Sequence, residues 1–242
     1  MRVRGLVAIA AAAALALPAA ALAQPVKMRR GTVDDRFTTT VPAAATGFAY
    51  DGVYHAAGDA KGAPPYLRKM TFYTPRGQRY DTTAAPRCTA TDAELAIRGA
   101  AACPAGSRLG GGKVVGRFMD RFDNTLDADF FNAPGEQIIL AHSPVFASVS
   151  RGKIAADQAV TYQAPTCFPW FVEAPCPVDN ALQIATHMKV PPHKNGARAY
   201  MWTPPRCPRS GHWTTGIRFW WKDGTTDLVR TRQPCAPKRS GS

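Results

Sequence analysis

The sequence predicts an all-β protein: a disulfide-stabilised β-sandwich, Ig-like or jelly-roll-like, with one short helix. Three observations carry that expectation. Apolar and polar residues alternate over many short segments, Gly- and Pro-containing turns separate those segments at roughly 8 to 12 residues, and six cysteines follow an export-type leader.

The clearest segment lies near the C-terminus. Trp213, Thr215, Ile217, Phe219 and Trp221 fall on one side of it and Thr214, Gly216, Arg218 and Trp220 on the other, the period of a half-buried strand. Asp223-Gly224 follows at once, and a two-residue type I′ turn there would set Trp221 opposite Thr226 and Phe219 opposite Leu228. Cys207 and Cys235 flank the open end of this hairpin.

The chain begins with Met-Arg-Val-Arg, an apolar run over 5–17, Pro18 and the Ala21-Leu22-Ala23 triplet. That order is a secretory signal, 1–23, cleaved after Ala23. The apolar run is shorter than the roughly 20 residues a spanning helix needs. The mature protein is therefore expected to be secreted into the extracellular space, with no transmembrane segment. Residues 24–35 are polar, basic and aperiodic and read as a disordered arm; 36–236 are expected to form the sandwich and 237–242 a flexible tail.

The whole chain has 30 basic against 17 acidic residues, a net charge of +13; losing Arg2 and Arg4 with the leader leaves 28 basic residues and +11. Such an excess favours anionic surfaces, so an anionic cell-envelope polymer or glycan is the expected kind of partner. The cations are spread along the chain, with clusters only at Lys27-Met28-Arg29-Arg30 and Lys238-Arg239, and no specific nucleic-acid motif accompanies them.

All six cysteines, Cys88, Cys103, Cys167, Cys176, Cys207 and Cys235, lie in the mature part, and an even count in an exported chain points to disulfides. Fifteen pairings are open. Nearest neighbours are the expectation: Cys88 with Cys103, Cys167 with Cys176, Cys207 with Cys235. No pair has the C-x₂₋₄-C spacing of a zinc site, and neither a metal nor a cofactor is expected.

Taken in order, strands are expected over 36–41, 46–54 and 66–73, with Met70 and Phe72 pointing inward. Between Cys88 and Cys103, Thr91 and Glu94 make a capping box, Leu95 and Ile97 supply apolar contacts and Gly99 supplies the stop, so a helix of about two turns belongs there. Gly110-Gly111-Gly112-Lys113 lacks the spacing and the Ser or Thr of a phosphate loop and reads as a glycine turn or bulge. Further strands are expected over 113–119, 125–131, 136–141, 145–150, 153–162, 181–190 and 197–203. Ile138-Ile139-Leu140-Ala141 is apolar on both faces, which suits a strand covered on two sides.

Several of these stretches resemble a known group. Pro86-Arg87-Cys88-Thr89-Ala90-Thr91-Asp92-Ala93-Glu94-Leu95, then Cys103-Pro104-Ala105-Gly106-Ser107-Arg108-Leu109-Gly110, and the terminal Trp213, Phe219, Asp223-Gly224 and Cys235 are similar to a pattern in uncharacterised secreted bacterial β-rich proteins. Phe131-Asn132-Ala133-Pro134-Gly135-Glu136 is similar to a turn in the middle of the same group. The resemblance runs from about residue 66 onward. It implies a secreted β-rich fold with paired cysteines and carries no catalytic residue.

Candidate chemistry is sparse. Asp120, Asp123, Asp127 and Asp129 are the densest acidic group, yet they match neither a calcium loop nor a glycosidase pair, and Asp127 and Asp129 would share the solvent face of a strand. His55, His142, His187, His193 and His212 fit no standard metal spacing, and no G-x-S-x-G elbow is present. Trp170 and Phe171, in the loop between Cys167 and Cys176, together with Tyr200, Trp202 and Trp220, are candidates for a sugar- or peptide-binding platform. The expected function is that of a non-catalytic extracellular or envelope-associated structural or binding protein. The alternative is a secreted hydrolase acting on cell-wall polymer, its Asp and His residues gathered only in space.

Overall fold

A computed structural model describes residues 25–118, 122–144, 146–169, 174–175 and 181–236. The leader over 1–23, Asp120, the loop residues Trp170 and Phe171, Cys176 and the tail over 237–242 lie outside the described residues.

The alternating segments form strands β1 (Val26–Met28), β2 (Gly31–Phe37), β3 (Phe48–Tyr54), β4 (Leu67–Tyr73), β5 (Arg108–Phe118), β6 (Phe122–Ala133), β7 (Glu136–Ser143), β8 (Phe146–Ile154), β9 (Val160–Gln163), β10 (Ala181–Val190), β11 (His212–Trp221) and β12 (Thr226–Pro234). They make the main path of one sheet, in the order β1-β2-β3-β10-β5-β6-β7-β8-β9-β4-β11-β12, antiparallel at every step. The protein is thus all-β with one short helix and disulfides, as expected. The sheet curls on itself into a nearly closed barrel rather than folding as two layers. Period-two alternation suits either architecture, because each strand keeps one face in and one out.

Eleven strands, β2 to β12, make the circuit. An odd number of antiparallel neighbours leaves the first and last running the same way, and among the described residues β2 and β12 share no hydrogen-bond ladder. Side chains join them instead. The Gln233 amide bonds the backbone of Phe37 and Thr39, and buried Arg30 reaches Asp223 Oδ2 at 2.8 Å and Asp227 Oδ2 at 3.5 Å. Strand β1 packs against both β2 and β12. Residues 24–35 are therefore not a disordered arm as expected: 26–28 and 31–35 are strand, because Val33 is fully buried and pairing with β3 satisfies this backbone.

The hairpin β11–β12 keeps the expected inward face but shifts its register by one. Phe219 lies opposite Asp227 and Ile217 opposite Val229, while Leu228 is 40% exposed. Only Gly224 takes a positive φ (80°), with Gly224 N donating to Trp221 O and Trp221 N to Thr225 O. This is a turn of ordinary hand closed by a left-handed glycine, one residue longer than the two-residue turn. The extra residue moves every partner by one position.

A second layer covers β7 and β8 from outside. Helix α1 (Asp92–Arg98) starts at Thr91, whose hydroxyl accepts from Glu94 N while Glu94 Oε2 accepts from Thr91 N at 2.7 Å. Leu95 is fully buried there, packing with Ile138, Leu140, Val149 and Phe168. Ile97, expected to pack as well, is 66% exposed, since two positions along a helix turn a side chain to the far side. Ile139 and Ala141 face the barrel interior, so β7 is covered on both sides as its composition implied. Asn132 Nδ2 sits within 3.0 Å of the carbonyls of Thr82, Ala85 and Pro86 and ties the approach to the helix onto the barrel.

Disulfides join Cys88 to Cys103 and Cys207 to Cys235; Cys167 is also oxidised. The glycine run lies inside β5, beside a bulge between Arg108 and Gly110. A Cβ at Gly112 would overlap the His187 carbonyl oxygen, so the close approach of β10 requires glycine. No helix among the described residues is long and apolar enough to cross a membrane.

Candidate functional site

Inward-facing side chains leave a cavity of about 170 Å³ in the barrel. Its walls are chiefly apolar, with the rings of Phe37, Phe48, Tyr50, Phe72, Tyr80 and Phe130 among them. Exposed Gln163 and half-buried Pro165 line the same space, so it reaches the surface beside β9. The short paired strands Arg79–Tyr80 and Met201–Trp202 stopper the barrel where β2 leads toward β3: Thr46 N donates to Met201 O at 2.9 Å, and Tyr80 and Met201 both line the cavity.

Polar side chains also enter this lining, Gln78, Gln137, Ser148, Ser150 and Gln183 among them, and one of them is a carboxylate. Asp35 projects inward from β2, between Val33 and Phe37 on the same face, and the Thr215 hydroxyl of β11 lies near enough to ease the charge on its carboxyl. Asp35 is half-buried by surface area and lines the cavity, so its carboxyl is largely withdrawn from bulk solvent. Desolvation pushes its pKa from 3.8 up to about 7, outweighing the opposing influence of Thr215, and no cation among the described residues acts on it.

Halfway around the barrel, Tyr162 donates to Gln137 Oε1 at 2.6 Å, its ring lying over Gly152, where a Cβ would meet the ring at 2.5 Å. Gln137 Nε2, buried in the cavity wall, has no acceptor in bonding geometry among the described residues. Burial pushes the hydroxyls of Tyr50, Tyr80 and Tyr162 upward, so all three stay neutral across the physiological range.

Of the aromatic residues singled out in the sequence, the three that are described, Tyr200, Trp202 and Trp220, are not brought together. Tyr200 is 1% exposed and packs inside, its ring 5.9 Å from that of Tyr80. Trp202 is half-buried at the stoppered end with Arg79 over its ring. Trp220 lies on the outer face of β11 under Lys69 Nζ at 3.9 Å. The residues that do converge, Asp35, Tyr50, Tyr80 and Gln137, were missed. A signal existed for Asp35: Val33, Asp35 and Phe37 alternate, but the charges of Asp34 and Arg36 mask the period.

None of the five histidines lines the cavity. His142 Nε2 meets Asp129 Oδ2 at 3.2 Å, His187 Nδ1 meets Asp51 Oδ1 at 2.9 Å, and His193 Nε2 meets the Leu109 carbonyl. The acidic group of β6 pairs across to β5: Asp123 with Arg117 at 2.6 Å, Asp127 with Lys113 at 2.5 Å, and Asp129 with Arg108 at 2.5 Å. Those carboxylates are held by cations of the neighbouring strand.

No family model, curated protein or solved structure matches the chain.

The outer face of β4, β11 and β12 is of a different kind. Arg218 lies 5.7 Å from the Trp220 ring and 5.9 Å from that of Tyr73, and exposed Arg230 and Arg232 continue the face on β12. Asp227, the one carboxylate of β12, points inward and is buried. Cations and aromatic rings therefore share this surface.

Proposed function

We propose that the protein is an exported, non-catalytic binding protein that holds one small, largely apolar molecule inside the barrel. The aromatic-walled cavity open beside β9 is the observation that carries this reading. An apolar cavity of about 150 Å³ takes up benzene, so an occupant of roughly six to ten non-hydrogen atoms suits the space. The leader sequence and the disulfides support export. The hydrolase alternative loses ground because the histidines sit on outer or capping positions, away from any molecule in the cavity.

Uptake of toluene, followed by thermal shift and calorimetry, tests the reading. The wild type is expected to bind it, and Ala141→Phe, which places a ring in the cavity, is expected to fold and not bind. Absence of uptake by the wild type of toluene and of its hydroxyl and ammonium analogues alike overturns the proposal.

A second reading rests on the basic aromatic face of β4, β11 and β12. It suits an anionic cell-envelope polymer, with charge neutralised by Arg218, Arg230 and Arg232 and stacking offered by Trp220. Retention on a polyanionic polymer that falls with salt, and falls again in Arg218→Ala, is the expected behaviour; salt-insensitive retention would count against it.

A further inference from the structure

The cavity contains one carboxyl, that of Asp35, a group that a purely apolar ligand would not call for. Resting on the cavity reading above, we propose that the occupant is an organic ammonium ion, its cationic end on Asp35 and its apolar body among the aromatic rings.

A carboxylate removed from water is costly unless a partner compensates it, and a hydroxyl does so only in part. Among the described residues the protein supplies Asp35 with Thr215 and with no cation. The other charged lining residue, Lys69, carries its Nζ over the Trp220 ring on the outer face and is not a counter-ion. Arg36, next along β2, is turned to Asp34 and Asp51. Tyr50 stands directly opposite Asp35 on β3, and the Tyr80 hydroxyl is close enough to sense its charge. Thr215, Tyr50 and Tyr80, the groups that act on the carboxyl or sense its charge, are all uncharged.

Aromatic rings strengthen the case. A cation is drawn to ring faces, and several rings gathered about an ammonium group are a recognised way of holding it. Tyr50 and Phe72 pack edge to face at 5.5 Å, and Phe72 continues to Tyr162 at 6.2 Å, so one connected aromatic wall borders the space beside Asp35. An anionic ligand would meet repulsion there, and a neutral hydrocarbon would leave the carboxyl unsatisfied.

The test compares benzylammonium with two neutral molecules of like size, benzyl alcohol and toluene, by calorimetry on the full mature chain. The wild type at pH 8 is expected to bind benzylammonium at least ten-fold more tightly than benzyl alcohol. Benzylammonium affinity should fall as pH drops from 8 to 5.5, since protonating Asp35 removes the negative charge while the ligand stays cationic. Asp35→Asn should lose the preference and keep toluene binding. Equal binding of the alcohol and the ammonium by the wild type, or an ammonium preference that survives in Asp35→Asn, overturns the inference and leaves the cavity reading intact. Failure of all three probes to bind the wild type overturns both.

Discussion

The side-chain amide of Gln233 grips the backbone of Phe37 at both its donor and its acceptor: Phe37 N donates to Gln233 Oε1 at 2.5 Å, and Gln233 Nε2 donates to Phe37 O at 3.1 Å. The same Nε2 also reaches Thr39 O at 3.1 Å. One side chain thereby stands in for the strand ladder that the parallel edges β2 and β12 do not form. Gln233→Ala leaves a backbone donor and two acceptors without these partners and is expected to cost about 2 to 3 kcal/mol. Urea unfolding measures the loss, and faster amide exchange at Phe37 locates it at the seam. Unchanged exchange there would show that the seam is held by other contacts.

Asp35 predicts an unusual pH dependence. Below about pH 4 the folded and unfolded chains both protonate the carboxyl; between about 4 and 7 only the unfolded chain releases the proton, so stability falls as pH rises through that window and levels off above it. The gap corresponds to on the order of 4 kcal/mol. Asp123 and Asp127, held below the ordinary carboxylate range by their bonds to Arg117 and Lys113, act the opposite way and only at still lower pH. Asp35→Asn should flatten the melting temperature between pH 4 and 7 and raise it at pH 8. A mutant curve parallel to the wild type would refute this.

Asn132 is fully buried, with three carbonyl oxygens around one amide nitrogen. Asn132→Ala should destabilise by about 2 to 4 kcal/mol, because those carbonyls are left without a donor. Ile97→Ala, on the exposed side of α1, should change stability by less than about 0.5 kcal/mol. Chemical denaturation of the two variants side by side checks the contrast, and similar losses in both would show that α1 is tied down differently.

The Cys207–Cys235 bridge closes a loop of 28 residues around β11 and β12. Replacing both cysteines with serine should cost about 3.5 kcal/mol by the loop-entropy relation. The backbone bonds Cys235 N to Gly211 O and Ala236 N to Thr40 O, at 2.8 and 2.9 Å, keep this end assembled at low temperature. A lowered melting temperature with an unchanged β-type circular dichroism spectrum at 10 °C is the expected result.

The alternation of β11, the double-faced apolar run of β7 and the capped helix at Thr91 were all legible in the chain, because each depends on residues a few positions apart. The register of β12 was not, since one added loop residue moves every partner and a dipeptide such as Asp223-Gly224 fits both turn lengths. The choice between sandwich and barrel was equally beyond local pattern. It rests on whether the two ends of the sheet meet, and Gln233 meets Phe37 across 196 positions of sequence.

The candidate site shows the same division more sharply. Taken alone, Val33-Asp34-Asp35-Arg36-Phe37 is a charged stretch like any surface strand or loose arm. Pairing with β3 sets its phase and turns Asp35 inward toward Tyr50, and curvature of the whole sheet then places Thr215, Tyr80 and the aromatic wall around it. By itself the sequence determined an oxidised, strand-rich chain with one capped helix, because alternation, caps and cysteines act over short range. Only the tertiary structure decided that the sheet closes and that a lone carboxyl faces an apolar hollow, because both follow from strand phase and closure, which no single segment encodes.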